Sequence, residues 1–303
     1  MIINMRTLAT VMIAGYLLAA CIAPTARACQ TDSYALISWD AGVVVWKDEL
    51  PSDAVALVQR LNVALTATFE FWEQDVPTAS ENPEEDQYCL RIYDPGTQTD
   101  QRIPALRWNG EEIRPLIVYA FPDRASMARA IQQANTSIEG MFVHYSIPGT
   151  FQDAECWMHE AGRGTRNLLL PATTSDAVLM HELTHWFAFE FQIQNHSSYW
   201  GLPDYIMEGM AEYTSAPFRN PDMNRFVRAD ARSWANSHCL LRNVNDPFYV
   251  YPVGETFVQY VIEQICAQEF LDTLGLWATR TLSMTRAYQA GWREWLGLHP
   301  ECP

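Results

Sequence analysis

Positive charge is scarce in this chain. Its 303 residues carry 20 Lys and Arg against 36 Asp and Glu, a formal net charge of −16. A chain so acidic repels polyanions, which excludes nucleic acid and an anionic membrane surface as partners. None of its seven cysteines stands in Cys-x-x-Cys spacing, so neither a cysteine-based zinc site nor a dithiol redox motif is encoded. Internal repeats and long linkers are also missing. Apolar residues, by contrast, are plentiful: 49% of the chain is hydrophobic and 12% aromatic. At this length that composition supports a substantial core and excludes a disordered or collagen-like chain.

The compartment follows from the first thirty residues. One positive side chain, Arg6, precedes Leu8 to Ala20, which is apolar or small apart from Thr10. That is the length of a signal-peptide core and short of the roughly 20 residues of a spanning helix. Export is therefore expected, with residues 1–28 removed or processed and 29–303 forming the working domain. Two processing sites compete. Leu18-Ala19-Ala20-Cys21 resembles a bacterial lipobox, which would make Cys21 a lipid anchor at the cell surface and the only link to a membrane. Ala26-Arg27-Ala28 offers ordinary cleavage after Ala28 and free secretion. Without Cys21 six thiols remain: Cys29, Cys89, Cys156, Cys239, Cys266 and Cys302. An even set outside the cytoplasm accommodates up to three disulfides.

Patterning predicts strands at Ala41 to Trp46, Leu116 to Phe121 and Asn167 to Pro171, all rich in branched aliphatic residues. Helical spacing covers Asp53 to Trp72, after Pro51 and Ser52, and Asp123 to Gln133. Thr173 to Asp176 supplies cap candidates for a helix over about Ala177 to Phe191. Helices follow at Asp204 to Ser215, Gly254 to Gln268 and, with a break, Phe270 to Trp295. The acidic stretch Glu81 to Asp86 reads as a solvated turn. The expected fold class is α+β. A lobe with a small sheet spans about 29–191, a mainly helical lobe spans 192–303, and an active-site cleft lies between them.

His181-Glu182-Leu183-Thr184-His185 carries the chemistry. Residues four apart on a helix share a face, so both imidazoles reach one metal ion. Glu182 is turned about 100° around the axis, beside the metal and placed to take a proton from the attacking water. A catalytic zinc takes three protein ligands. Ala188 and Phe191 stand where the third-histidine pattern would have Gly and His. Glu190 is too near His185 on the same helix, and Asp204 only opens the next one. Glu208 is the better candidate, with 22 residues between it and His185. Gly209 and Ala211 are small, as a helix packed closely on the HExxH helix requires. Glu212, one turn beyond Glu208, can accept the other N–H of a ligating histidine, and the two glutamates can exchange roles.

HExxH followed by Pro203-Asp204-Tyr205-Ile206-Met207-Glu208-Gly209-Met210-Ala211-Glu212-Tyr213 resembles the gluzincin metallopeptidases, specifically the peptidase MA-like group of bacterial secreted proteins. The likeness spans about Leu116 to Trp295 and is most specific over residues 178–213. It implies a zincin-like fold in which His181, His185 and Glu208 hold Zn2+, Glu182 is the general base and Glu212 supports a ligand. Such proteins often have Trp where this chain has Tyr205. In aminopeptidase-type members a Tyr-x-x-Gly at a helix start supplies an oxyanion-binding tyrosine, which Tyr251-Pro252-Val253-Gly254 matches. A tyrosine merely packed at a helix start is the equal alternative, with Tyr249 and His238 next in line. The implied activity is that of an exported zinc metallopeptidase acting on a peptide or protein substrate. The alternatives are an exported binding protein of zincin-like fold without catalysis, or a zinc hydrolase of a non-peptide substrate. A monomer is expected. His144, His159, His196, His238 and His299 read as loop or surface histidines. Trp186, Trp277, Trp292 and Trp295 read as packing.

Overall fold

Apolar runs in the first half of the chain stack into one sheet. A computed structural model describes residues 34–47, 54–81, 87–132, 139–143, 154–155, 157–158, 166–196, 202–238, 241, 244 and 246–300. The processing sites at Cys21 and Ala28 lie outside the described residues. So do Pro51 and Ser52, residues 82–86 of the acidic turn, His144, His159, Cys29, Cys156, Cys239 and Cys302. The two described cysteines, Cys89 before β4 and Cys266 between two helices, are both free, which lowers the ceiling from three disulfides to two.

The first half runs β1 (Tyr34–Trp39), β2 (Gly42–Lys47), α1 (Ala54–Phe71), β3 (Thr78–Ala79), β4 (Leu90–Asp94) and β5 (Thr99–Ile103). It continues through β6 (Leu106–Trp108), β7 (Glu111–Ile113), β8 (Leu116–Phe121), α2 (Arg124–Ala130), β9 (Met141–Val143) and β10 (Asn167–Pro171). Helices alone follow: α3 (Asp176–His196), α4 (Asp204–Ser215), α5 (Pro221–Ser237), α6 (Pro247–Ile265), α7 (Ala267–Asp272), α8 (Leu274–Thr279) and α9 (Thr281–Trp295). The fold is mixed α+β, with a small sheet first and a helical C-terminal part.

The main sheet has the order β1-β2-β8-β10-β9. Its three inner strands are parallel, and β1 and β9 are antiparallel edges. Parallel strands are buried on both faces, which is why β8 reads as an unbroken apolar run. Side chains alternate between two cores. Val44, Trp46, Val118, Leu168 and Leu170 point into the larger, shared with α1 and α3. Val43, Val45, Ile117, Tyr119 and Leu169 point into the smaller, under α2 and Trp157.

Aromatic packing fixes the rotation of α3. Phe187 sits 5.1 Å edge-on to Phe69 of α1 and is stacked 6.0 Å from Trp72. Leu183 and Trp186 are fully buried beside it. Each such aromatic pair adds about 0.5–1.5 kcal/mol to its burial. With Leu183, Trp186 and Phe187 facing inward, His181 and His185 are turned away from the sheet.

Several expectations shift. α3 starts at Asp176, where Ser175 Oγ accepts the Val178 N–H, and runs to His196 rather than to Phe191. The helix predicted from Gly254 starts at Pro247 and ends at Ile265, because Asp246 caps it and Pro247 suits its first position. The single break expected after Phe270 is two breaks, at Thr273 and Arg280. Gly209 is small for a different neighbour than α3: a Cβ there would lie 2.4 Å from the Gly254 carbonyl oxygen of α6.

Candidate metal centre

Two helices carry the chemistry-bearing side chains. α3 presents His181, Glu182 and His185, and α4 presents Glu208 and Glu212 from the opposing side. α4 is held by polar contacts at both ends: Tyr205 Oη pairs with Thr285 Oγ1 of α9 at 2.6 Å, and Trp72 Nε1 donates to Thr214 at 3.0 Å.

His181, His185 and Glu208 form a group that can hold a metal ion. His181 Nε2 lies 3.1 Å from His185 Nε2 and 3.3 Å from Glu208 Oε2, and His185 Nε2 lies 3.4 Å from that same oxygen. Bonds of about 2.0–2.1 Å to a tetrahedral ion place neighbouring ligand atoms about 3.3 Å apart, so the triangle has the size such an ion needs. Glu208 Oε2 is buried and has no well-directed hydrogen bond among the described residues, although both imidazoles stand within ion-pair distance. An oxygen aimed at no single donor fits a shared ion.

Glu212 takes the supporting place. Its Oε1 lies 3.0 Å from His181 Nδ1, so the neutral imidazole carries its proton on Nδ1 and turns the Nε2 lone pair toward His185 and Glu208. Glu212 Oε2 accepts from Arg219, whose other terminal nitrogen donates to Glu255 of α6 at 2.6 Å. Burial pushes the Glu255 carboxyl up to about 7, against the pull of Arg219.

Glu182 is outside the ligand group. Its Oε2 accepts the backbone N–H of Phe142, in edge strand β9, at 2.7 Å. Gly140 allows that approach, since a Cβ there would sit within 3.0 Å of Glu182 Cγ and within 2.9 Å of Val178. Burial raises the Glu182 pKa, while His181 and His185 pull it down. Burial also raises Tyr251, and the carboxylates of Glu208, Glu182 and Glu212 carry it further, to about 12. Its ring lies 6.1 Å from that of His181. Tyr251 is inside α6 rather than at its start, because the helix begins four residues earlier.

A pocket of ≈ 660 Å³ opens onto His181, Glu182, Glu212, Arg219 and Tyr251. His185 and Glu208 are not among its lining residues, but each stands within 3.4 Å of His181 Nε2 and of the other. Asp204 stays outside the group, and Glu190 is bound instead by Arg166. His238 is stacked on Trp234 at 4.8 Å, and Tyr249 is not among the pocket's lining residues. Gly140, Phe142 and Arg219 were not singled out. A backbone N–H carries no side-chain signature, and Arg219 lies past a Pro-containing turn that hides its helical register with Glu212.

Burial disfavours the imidazolium of His181. The carboxylates of Glu208 and Glu212 overcome that and hold its pKa up to about 10. At pH 7 a proton therefore occupies the imidazole that a metal ion requires neutral, and binding must release it. Zinc titrated calorimetrically at pH 7 in buffers of different ionisation enthalpy should release about one proton from His181. Heat independent of the buffer would mean that His181 is already neutral at pH 7, against the upward pull of Glu208 and Glu212.

No protein-family model matches the chain, and no curated protein matches it.

Proposed function

We propose that this protein is a zinc-dependent metallopeptidase of gluzincin type. The observation that carries the reading is the triangle of His181, His185 and Glu208, with Glu182, one residue along the same helix from His181, outside it and anchored to the Phe142 N–H. Bound zinc would polarise the scissile carbonyl and make water a nucleophile near neutral pH. Glu182 takes the proton of the attacking water and passes it to the leaving amine. Phe142 N–H holds that carboxylate in place from the strand side. Glu212 and Arg219 keep His181 in the tautomer that leaves Nε2 free.

Tyr251 supplies an O–H donor at the pocket. With its pKa near 12 it stays protonated at neutral pH and can stabilise the developing oxyanion. Tyr251→Phe should lower kcat by about 10²–10³-fold with little change in KM. A proportional rise in KM at constant kcat would make Tyr251 a substrate-binding group instead.

The N-terminal sequence supports a site of action outside the cytoplasm, either free or on a lipid at Cys21. No helix among the described residues is long and apolar enough to cross a membrane. Metal analysis of the pure protein, followed by a peptide-library digest, tests the function. Protein without bound metal sinks the reading. Metal-loaded protein that cuts no peptide reassigns it to another hydrolytic substrate.

A further inference from the structure

A row of ionisable side chains runs end to end behind the candidate metal centre. His181 Nδ1 of α3 lies 3.0 Å from Glu212 Oε1 of α4. The other oxygen of Glu212 accepts from Arg219, in the turn between α4 and α5. The second terminal nitrogen of Arg219 donates to Glu255 Oε1 of α6 at 2.6 Å. His181, Glu212 and Arg219 line the pocket, whereas Glu255 closes the row from behind.

Glu255 is the odd member. It is 6% exposed, yet its Oε2 is buried without a hydrogen bond among the described residues, as is Arg219 Nε. A carboxylate buried only to tie two elements together is better satisfied than this. One guanidinium serves two buried carboxylates, so the charge that Glu255 draws is withheld from Glu212. With Glu255 ionised, Glu212 is the stronger acceptor for the His181 N–H, and His181 Nε2 the more basic ligand atom. With Glu255 neutral, Arg219 pulls on Glu212 undivided, and the histidine holds a cation less tightly.

We propose that Glu255 is a positioning residue of the metal centre, which acts through Arg219 and Glu212 on His181 and sets how tightly the ion is held. The proposal rests on the reading of His181, His185 and Glu208 as metal ligands, and it makes the strength of the site depend on pH. Arg219 and Glu212 are the charged groups that act on Glu255, and Tyr213 of α4 is raised in turn by its charge. α5, α7 and α9, which also pack on α6, place no ion-pair or hydrogen-bond partner on it among the described residues. Burial holds its carboxyl at about 7, so it is mostly neutral at pH 6 and mostly ionised at pH 8.

Competition with a chromogenic chelator measures the zinc affinity directly, without turnover. Glu255→Gln keeps the size of the side chain and an acceptor for Arg219, but cannot ionise. Its dissociation constant for zinc should exceed the wild-type value less than about twofold at pH 6 and about tenfold at pH 8. Protonation of the ligating histidines is common to both proteins and cancels from the ratio. Glu255→Met should show the same trend, and serves if the glutamine variant does not fold. In an Arg219→Gln background, Glu255→Gln should have no further effect; a loss that adds in full overturns the route through Arg219. Equal affinities, or a ratio that stays constant between pH 6 and pH 8, make Glu255 a structural partner alone and overturn the proposal while the metal site stands. Wild-type protein that takes up no zinc overturns both the proposal and the metallopeptidase reading.

Discussion

Glu182→Gln is expected to lower kcat by about 10²–10⁴-fold, the contribution of a general base, and to leave zinc bound. The two halves of that result have separate causes. Glu182 is not one of the three converging ligands, so the metal does not depend on its charge. Glutamine keeps an acceptor oxygen for the Phe142 N–H that Glu182 accepts at 2.7 Å, so the side chain retains its anchor. What it loses is the ability to take a proton. Elemental analysis and peptide turnover on the same preparation read both halves. A variant that turns over like wild type removes Glu182 from the chemistry. One that loses zinc in step with activity makes it a ligand.

The largest effect on stability is expected on the other side of α3. Glu190 is 3% exposed and accepts from Arg166, which is 8% exposed. The Arg166 guanidinium also lies 4.2 Å over the Phe189 ring, and its charge lowers the pKa of Arg114, which burial lowers most. Glu190→Ala removes the carboxylate between two like charges. Breaking a buried pair by deleting one partner costs about 3–5 kcal/mol, to be read as a lowered urea midpoint at unchanged m-value. Replacing both partners together, Arg166→Met with Glu190→Leu, should recover most of the loss, since apolar residues of similar volume can stand in for a buried pair. If the single variant unfolds like wild type, the pair is structurally idle.

Most of the ligand set was legible because it is local. His181, Glu182 and His185 share one helix, and a helix converts spacing into direction without help from the rest of the fold. Glu208 and Glu212 were legible for the same reason, once a return helix was granted. The inner strands β8 and β10 were read from unbroken apolar runs, within a residue of their observed ends. β5 and β7 were not, because Thr-Asp-Gln-Arg-Ile and Glu-Glu-Ile have one apolar residue each and are strands only by pairing with β4 and β6. Tertiary contact also decides what Gly209 is for. Its smallness was visible, but whether α3 or α6 used it depends on a crossing that no window of sequence contains.

That crossing bears on how a substrate reaches the pocket. At Gly209 and Gly254 two backbones touch, with no side chain between them to repack if one helix shifts. Glu208 is the neighbour of Gly209, and Tyr251 is one turn before Gly254. Prying α6 outward to widen the pocket would therefore drag on Glu208 and spread the three ligand atoms. The opposite rim, at Asn220 and Met223, carries none of the three converging groups. Tyr251 and Glu208 then belong to one rigid wall of the pocket.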